Sequence, residues 1–197
     1  MFYIFPRAVS KKECERLLNY CIENTKFTAA SILKKGEYDI DSVHTGRMDS
    51  KIRKTDIAFV TPDNQKDNMV NEIAWHFLTM ANEKLFNYKF ESFQPVQFAR
   101  YRDGGHYGWH QDTSGISPSG ESRKLSLTFS LSDPNTYEGG YLEFWRCNLP
   151  MEELDIKDIR DQGSVIVFDS RDYHRVTPVT KGTRYSIVCW SVGPNFV

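Results

Sequence analysis

The chain has 197 residues, and its 25 basic and 26 acidic side chains give a formal net charge of −1 at neutral pH. This length suits one domain with a sizeable core, and the balanced charge excludes the strong overall field of a general nucleic-acid or anionic-membrane binder. The apolar run at the N-terminus comes before its basic residues, the reverse of a secretory signal, and no stretch predicts a membrane span. We therefore expect a cytoplasmic protein without nucleic-acid or membrane partners.

The four cysteines favour free thiols in a reducing compartment. Cys14 and Cys21 lie seven residues apart on a predicted helix, Cys147 and Cys189 are distant in sequence, and no C-x-x-C motif occurs. Disulfide frameworks and cysteine-based zinc sites have characteristic close cysteine spacings, which this sequence lacks. Buried free thiols are therefore expected.

The N-terminal part of the chain predicts two helices and two strands. Residues 1–9 indicate a first strand, and the capping-box pattern that begins at Ser10 predicts a helix ending near Asn24. Residues 56–60 predict a second strand. Apolar residues at helical spacing over 65–88 predict a long helix that packs against a sheet.

A polar segment, punctuated by Gly36 and Gly46, separates the first helix from the second strand. Long segments without regular structure are uncommon in compact domains unless they act as lids or are disordered. Two interpretations stay open: an ordinary solvated surface, or a lid formed by residues 36–55 that covers a bound substrate.

Short strands separated by turns dominate the sequence after residue 90. They are expected over residues 92–101, 106–112, 123–131, 139–146, 163–169, 173–177 and 183–192. This pattern favours a sandwich or barrel over a helical fold.

One strand, KLSLTFSL at residues 124–131, alternates strictly between apolar and hydroxyl side chains. Its apolar face comprises Leu125, Leu127, Phe129 and Leu131. Its other face comprises Ser126, Thr128 and Ser130. We expect the apolar face to meet outer helices or a second sheet, and the hydroxyl face to line a cavity.

The segment QFARYRDGGHYGWHQD, residues 97–112, predicts a strand, a tight turn and a second strand. His110 and Asp112 are two residues apart, so they share one face of a strand and can hold one metal ion together. His174, far along the chain, can complete the set. Two imidazoles and one carboxylate leave coordination positions open, which is typical of non-haem Fe(II) oxygen chemistry.

An H-x-D motif, a distant histidine and an arginine ten residues later resemble the Fe(II)/2-oxoglutarate-dependent dioxygenases, within them the prolyl 4-hydroxylase-like branch of bacterial and phage type. The resemblance covers roughly residues 93–193 and rests on several motifs in the right order. The matching positions are Tyr101, Gly105, Tyr107, His110, Asp112, Leu131-Ser132, Glu138-Gly139-Gly140 and the run from His174 to Val179.

The resemblance implies an α+β, mainly β fold: a double-stranded β-helix, or distorted jelly roll, with supporting N-terminal helices. We expect a single domain over 1–197, with helical support and the lid in 1–90 and the β core in 91–193. It further implies that Fe(II) is bound by His110, Asp112 and His174, with no catalytic residue beyond these ligands.

The resemblance also assigns the cosubstrate site. Arg184 is expected to hold the C5 carboxylate of 2-oxoglutarate, since a guanidinium stays charged and can form two parallel hydrogen bonds to a carboxylate. Further cosubstrate contacts are expected from Tyr101, Thr128, Ser130 and Trp190. Some relatives carry a tyrosine near the position of Ser130. This departure predicts a different affinity for 2-oxoglutarate unless another group, such as Tyr101, fills the role.

The implied reaction hydroxylates a C–H bond with O2 and 2-oxoglutarate, releasing succinate and CO2, with ascorbate as a reductant. A proline in a peptide or protein is the expected substrate, and substrate contacts are expected from Tyr107, Trp109, Arg123 and Arg171. Two alternatives stay open, a hydroxylase of a free amino acid or another small molecule, and a non-catalytic jelly-roll binding module, against which Arg184 argues. A nucleic-acid demethylase is disfavoured because the chain lacks the asparagine-rich arginine motif after its last histidine.

Overall fold

The computed structural model describes residues 1–30, 49–60, 68–113, 120–145 and 157–196. Most of the predicted lid, residues 36–48, lies outside these ranges, as does Cys147. None of the described helices is long and apolar enough to cross a membrane.

Two long helices, one short helix and thirteen strands make up most of the described structure. The helices are α1 (Lys11–Asn24), α2 (Asn68–Ala81), which continues into one π-helical turn (Asn82–Phe86), and the short α3 (Lys157–Arg160). The first seven strands are β1 (Phe2–Phe5), β2 (Thr28–Ala29), β3 (Arg53–Lys54), β4 (Asp56–Val60), β5 (Ser92–Phe93), β6 (Val96–Arg102) and β7 (His106–His110). The remaining six are β8 (Glu121–Ser130), β9 (Tyr137–Gly139), β10 (Leu142–Phe144), β11 (Val165–Asp169), β12 (His174–Val176) and β13 (Val179–Pro194).

The first helix forms where the capping box predicts it. The side chain of Ser10 accepts a hydrogen bond of 3.2 Å from the backbone N–H of Glu13, which satisfies one of the free donors at the helix start. Cys14, Leu17 and Cys21 recur at helical spacing and are fully buried. Helix α1 is therefore amphipathic and packs its apolar face on the core.

The second helix ends earlier than the predicted residue 88. Regular α-helix stops at Ala81, and after the π-helical turn Asn87 adopts a left-handed conformation with φ of 53°. The side chain of Asn82 reaches forward and bonds both the N–H and the carbonyl of Tyr88, at 2.8 and 2.9 Å. This local side-chain bonding competes with the helix and terminates it.

The strands form two antiparallel sheets, as expected for a double-stranded β-helix. The nine-stranded major sheet has the order β1-β11-β8-β13-β6-β4-β2, with β5 and β9 also paired to β13, and the four-stranded minor sheet has the order β10-β12-β7-β3. Neighbouring strands come from distant parts of the sequence, so each sheet closes only through long crossovers. The mainly β fold with supporting helices is confirmed.

The alternation predicted for β8 is present in the core. Leu125, Leu127 and Phe129 are buried in one hydrophobic cluster with residues of α1 and α2 such as Leu17 and Leu78. Ser126 and the other hydroxyl residues face the opposite way and are also buried. The strand therefore separates a helix-packed apolar layer from a polar layer.

The cysteines within the described residues, Cys14, Cys21 and Cys189, are buried and free, as predicted. Burial raises the pKa of the Cys14 thiol to about 11 and those of Cys21 and Cys189 to about 12. These thiols are therefore protonated and unreactive near neutral pH.

Candidate active site

A bulge in β7 aligns two aromatic rings on the inner face of the minor sheet. His174 of β12 pairs with His110, and Val176 pairs with Tyr107, so two steps on β12 match three on β7. In a regular strand, residues three apart point to opposite faces. Because of the bulge, the rings of Tyr107 and His110 stack with centroids 3.5 Å apart and an interplanar angle of 13°.

Asp112 reaches the two histidines although it is not on the strand. The predicted strand to residue 112 ends at His110, and the backbone N–H of Asp112 instead donates to the carbonyl of Ser170 at 2.9 Å. Its carboxylate oxygens lie 3.6 Å from Nε2 of His110 and 3.6 Å from Nε2 of His174. One potential ligand atom from each of the three residues lies within 4.8 Å of the others, a spacing that suits a shared metal ion.

Backbone carbonyls fix the orientation of both imidazoles. Nδ1 of His110 lies 2.8 Å from the carbonyl oxygen of Gly108, and Nδ1 of His174 lies 2.9 Å from that of Asp172. A carbonyl oxygen only accepts hydrogen bonds, so in each neutral ring Nδ1 carries the proton and Nε2 keeps its lone pair. Both lone pairs are on the ring edge nearest the Asp112 carboxylate, the arrangement that a histidine ligand needs.

The protonation states suit a cation. Burial alone would raise the pKa of Asp112, but the imidazoles of His174 and His110 and the guanidinium of Arg123 outweigh burial and hold that pKa below its usual range. Burial is the largest influence on His174 and lowers its pKa, despite the neighbouring carboxylate. Near neutral pH Asp112 is ionised and His174 neutral, as metal binding requires.

Two buried serines support the carboxylate. Oγ of Ser126 donates to Oδ2 of Asp112 at 2.6 Å and lies 2.9 Å from Oγ of Ser170. Alternation in β8 predicts that Ser126 faces inward. Ser170 carries no signal in the sequence, because it lies 44 residues from Ser126 along the chain.

Arg184 of β13 is a buried cation, with a relative exposure of 4%. Nη1 donates to Oγ of Ser186 at 3.2 Å, and the guanidinium carbon lies 5.3 Å from the centre of the Tyr101 ring. Within the described residues, no carboxylate forms an ion pair with it. Such a buried charge is costly without an anion, so its surroundings suit a carboxylate ligand.

A pocket opens beside this guanidinium. The polar residues in its lining are Ser130, Tyr137, Tyr141, Arg160 and Arg184. None of the described residues that line it is acidic, so two guanidinium groups give this small cavity, of about 10 Å³, a charge that favours an anion.

The Glu138-Gly139-Gly140 motif shapes this pocket. Gly140 has φ of +65°, and a Cβ there would lie 2.9 Å from Cδ of Arg184 and 2.8 Å from a methyl of Val179. A Cβ on Gly139 would come within 2.0 Å of the Pro178 carbonyl oxygen. Glycine is therefore required for the chain to pass this close to the arginine.

The other predicted cosubstrate residues differ in their distance from the Arg184 pocket. Tyr101 lies beneath the predicted arginine, and Ser130 lines the pocket, although its hydroxyl donates to the carbonyl of Ile159 at 2.9 Å. Thr128 is buried on the same face of β8 but is not part of the pocket lining. Trp190 also lies outside the pocket lining.

Trp190 instead contacts one of the predicted substrate residues. The guanidinium carbon of Arg123 lies 4.0 Å from the centre of the Trp190 ring, its Nε donates to Oε1 of Gln94 at 2.7 Å, and its Nη1 donates to the carbonyl of Asp112 at 3.3 Å. The buried Nε1 of Trp190 has no hydrogen-bond partner among the described residues. Arg123 therefore adjoins the histidine and aspartate cluster, as Tyr107 does.

Trp109 lies on the outer face of the minor sheet. Its ring meets Trp145 edge-on at 5.5 Å, and the guanidinium carbon of Arg175 lies 4.7 Å from its centre. Arg175 follows His174 on β12, so its side chain points to the opposite face of the sheet. The bulge that turns His110 inward leaves Trp109 outside.

Arg171 is held in a separate network. It forms an ion pair with Asp169 at 2.6 Å and donates to the Tyr88 hydroxyl at 3.0 Å. Asp169 is the largest cause that raises the pKa of this guanidinium. These bonds occupy Arg171 at the protein surface.

Sequence reasoning missed two cations close to the candidate site. Arg53 of β3 lies with its guanidinium carbon 4.4 Å from the centre of the Tyr107 ring. Arg160 of α3 lines the pocket and donates to the carbonyls of Gly139 and Tyr137 at 2.6 and 3.0 Å. Arg53 is distinguishable in the sequence only as one basic residue of the predicted lid, and Arg160 carries no signal there.

Comparison with known proteins places these features in context. Residues 96–192 match the family model of the 2OG-Fe(II) oxygenase superfamily. A PKHD-type hydroxylase from Pseudoalteromonas atlantica is 31% identical over 180 residues, which cover 85% of this chain and 72% of that protein. Matches to further PKHD-type hydroxylases cover between 40 and 43% of their lengths.

Solved structures share the fold. A Pseudomonas putida prolyl-4-hydroxylase superposes with a TM-score of 0.68 at 17% identity, covering 96% of this chain and 91% of that one. A Trichoplax adhaerens prolyl hydroxylase, in complex with a hypoxia inducible factor peptide fragment, has a TM-score of 0.65 at 17% identity, covering 96% of this chain and 82% of that one.

Proposed function

The chain belongs to the 2OG-Fe(II) oxygenase superfamily and is a 2-oxoglutarate-dependent dioxygenase, and from this premise we propose that it hydroxylates a prolyl residue in a peptide or protein. The observation that carries the proposal is the convergence of His110, Asp112 and His174 on one point, together with a buried Arg184 that has no acidic partner among the described residues. The first feature suits Fe(II), and the second suits a carboxylate of 2-oxoglutarate.

The three converging residues are the proposed metal ligands. Two neutral imidazoles and one carboxylate would leave a bound Fe(II) with a net single positive charge and with positions open to the cosubstrate and O2. When bound, the iron supplies the oxidation chemistry by which 2-oxoglutarate and O2 become succinate and CO2 while the substrate gains one oxygen atom. The chain contributes the placement of each ligand atom and the exclusion of water.

Arg184 is the proposed anchor of the C5 carboxylate. A charge-assisted hydrogen bond to a buried carboxylate contributes roughly 1.5–3 kcal/mol. The pocket also presents the Arg160 guanidinium, which would strengthen the local positive potential. Ser130 would then contribute through shape, because its hydroxyl already donates to Ile159.

Tyr107 and Arg123 are the proposed substrate contacts, because both adjoin the proposed metal ligands. Proline suits such a site: its fixed φ and preference for polyproline II present an extended, preorganised backbone at small entropic cost. The two similar proteins of known structure described above are named as prolyl hydroxylases, and one was solved with a peptide fragment. These names support a peptide substrate for this chain.

The predicted lid begins outside the described residues and ends next to the site. Strand β3 pairs with β7, and Arg53 lies opposite Tyr107 in that register. We propose that residues 36–55, most of which lie outside the described residues, act as a lid for the bound peptide. Shortening them, while keeping β3, should lower peptide hydroxylation far more than the slow turnover of 2-oxoglutarate without substrate. A parallel fall of both activities would give the segment a structural role.

The decisive experiment compares substrates on one preparation. Purified protein with Fe(II), 2-oxoglutarate and ascorbate is assayed for succinate release with proline peptides, with the same peptides carrying alanine for proline, and with free amino acids. We expect release coupled to the gain of one oxygen atom by the proline peptides only, measured by mass spectrometry. Hydroxylation of free amino acids alone would reject the peptide substrate while leaving the dioxygenase assignment intact.

A further inference from the structure

The carboxylate of Asp112 is tied to the major sheet by one side chain. Ser126 of β8 is fully buried, and its Oγ donates to Oδ2 of Asp112 at 2.6 Å. A donor–acceptor distance this short is typical of a hydroxyl bonded to an ionised carboxylate.

A second hydroxyl gives this bond its direction. Ser126 has one hydroxyl proton, and it donates that proton to Asp112, so at 2.9 Å Ser170 must be the donor to Ser126. The backbone carbonyl of Ser170 also accepts from the N–H groups of Asp112 and Thr113, at 2.9 and 3.1 Å. Ser170 therefore holds the main chain of Asp112 directly and its carboxylate through Ser126.

This support matters because Asp112 lies beyond the end of β7. The two histidines are fixed by strand pairing and by the bonds of their Nδ1 atoms to backbone carbonyls. No such pairing holds Asp112. A carboxylate can rotate and can offer either oxygen. Oδ2, which lies 3.6 Å from Nε2 of His174, has one of its lone pairs engaged by the hydroxyl of Ser126, whereas Oδ1 lies 3.6 Å from Nε2 of His110, so the bond favours Oδ1 as the ligand atom.

We propose that Ser126, oriented by Ser170, is a positioning residue that fixes Asp112 so that Oδ1 is its ligand atom, and that this restraint increases metal affinity. The inference rests on the proposed function, because it takes His110, Asp112 and His174 as the metal ligands. The alternative is that Ser126 only satisfies a buried hydrogen-bond acceptor. In that case its removal would lower the stability of the metal-free protein and leave the metal affinity unchanged.

The test measures metal binding without turnover. Co(II) is titrated into metal-free protein, and its visible absorption reports both affinity and coordination. Removing a hydrogen-bond partner of a metal ligand typically weakens affinity about ten- to a hundredfold, so Ser126→Ala should weaken Co(II) binding by that factor and change the absorption spectrum. Ser126→Thr keeps a hydroxyl at the same position and should restore wild-type affinity.

Ser122→Ala is the matched control. Ser122 is also a buried serine of β8, but it lies beyond the bulge between Arg123 and Ser126, and its hydroxyl bonds the side chain of Asn195. This variant removes an equivalent hydrogen bond without touching the site, so its Co(II) affinity should equal that of the wild type. An equal loss in both variants would reduce the effect to general destabilisation and overturn the proposal.

A second test measures Co(II) binding to a variant of Ser170. Ser170→Ala should weaken Co(II) binding less than Ser126→Ala, and it should add nothing when Ser126 is already alanine, because it acts on the carboxylate only through Ser126. If Ser126→Ala proves too unstable to purify, Ser170→Ala alone decides, and unchanged affinity overturns the proposal.

Failure of this inference is distinguishable from failure of the proposed function. If the wild type binds Co(II) and His174→Ala does not, the metal site stands, and unchanged affinity in Ser126→Ala refutes only the positioning role. If His174→Ala binds Co(II) as well as the wild type does, the ligand set itself is wrong and the positioning role falls with it.

Discussion

The two faces of β8 are built on different principles. On the helix side, Leu125, Leu127 and Phe129 pack against α1 and α2, where volume and shape determine stability. On the site side, Ser126 and Ser130 each donate one hydrogen bond, Ser126 to the Asp112 carboxylate and Ser130 to a backbone carbonyl. Alternate residues of this strand therefore serve stability on one face and the candidate site on the other. Substitutions on one face should leave the property of the other face unchanged.

The largest effect should come from the site side. His174→Ala removes a proposed metal ligand, and we expect it to abolish Fe(II)-dependent succinate release while the circular dichroism spectrum stays that of the wild type. His76→Ala, a substitution of an exposed histidine on α2, is the matched control and should keep full activity. Full activity in His174→Ala would refute the ligand set.

The helix side should respond in the opposite way. Leu127→Ala leaves a cavity in the core, and we expect the free energy of unfolding in urea to fall by about 2–5 kcal/mol. The concentration of 2-oxoglutarate that gives half-maximal rate should not change in the protein that remains folded. Leu127→Met, which conserves volume, should cost less than about 1.5 kcal/mol. A raised 2-oxoglutarate requirement in Leu127→Ala would show that the two sides are not separable.

Arg184 tests the cosubstrate part of the site side. Arg184→Ala should raise the 2-oxoglutarate requirement roughly ten- to a hundredfold, as expected for the loss of about 1.5–3 kcal/mol. The variant without cosubstrate should be no less stable than the wild type, because it no longer buries a cation without an anionic partner. Arg184→Lys keeps the charge and should show a smaller increase. An unchanged requirement would exclude this residue as the anchor.

The smallest effect should be a pH dependence of stability. Burial lowers the pKa of His174 in the folded state, so below the ordinary histidine value of about 6.5 the unfolded chain takes up a proton that folded His174 does not. The free energy of unfolding of the metal-free protein should therefore fall between pH 7.5 and 5.5, by less than about 1.4 kcal/mol per pH unit from this group. In His174→Gln the fall should be shallower. Identical slopes would contradict the depressed pKa.

The sequence carried the chemistry of the site better than its geometry. His110, Asp112 and His174 are identifiable because few residue types bind iron and their order along the chain resembles a known family. Alternation in β8 also predicted which residues face the helices. These features depend on residue identity and on local periodicity, both of which are visible in one sequence.

The misplaced features depend on register between distant segments. Trp109 was expected to contact the substrate, but the bulge in β7 is set by pairing with β12 and leaves that side chain on the outer face of the minor sheet. Asp112 was expected on a strand. Its backbone N–H instead donates to the carbonyl of Ser170, a residue 58 positions further along the sequence. Arg160 and Arg53 lie near the site because segments distant in sequence pack together, and no local sequence pattern predicts that packing.

The 16 residues of β13 also constrain how the protein can be made. This strand pairs with β5, β6, β8 and β9, all of which precede it along the chain. During translation those earlier strands therefore wait without their central partner until β13 leaves the ribosome. Folds dominated by such non-local pairings form slowly, on the order of milliseconds to seconds, and expose unpaired strand edges meanwhile. Since Arg184 lies on β13, the cosubstrate pocket can be completed only after nearly the whole described chain has been synthesised.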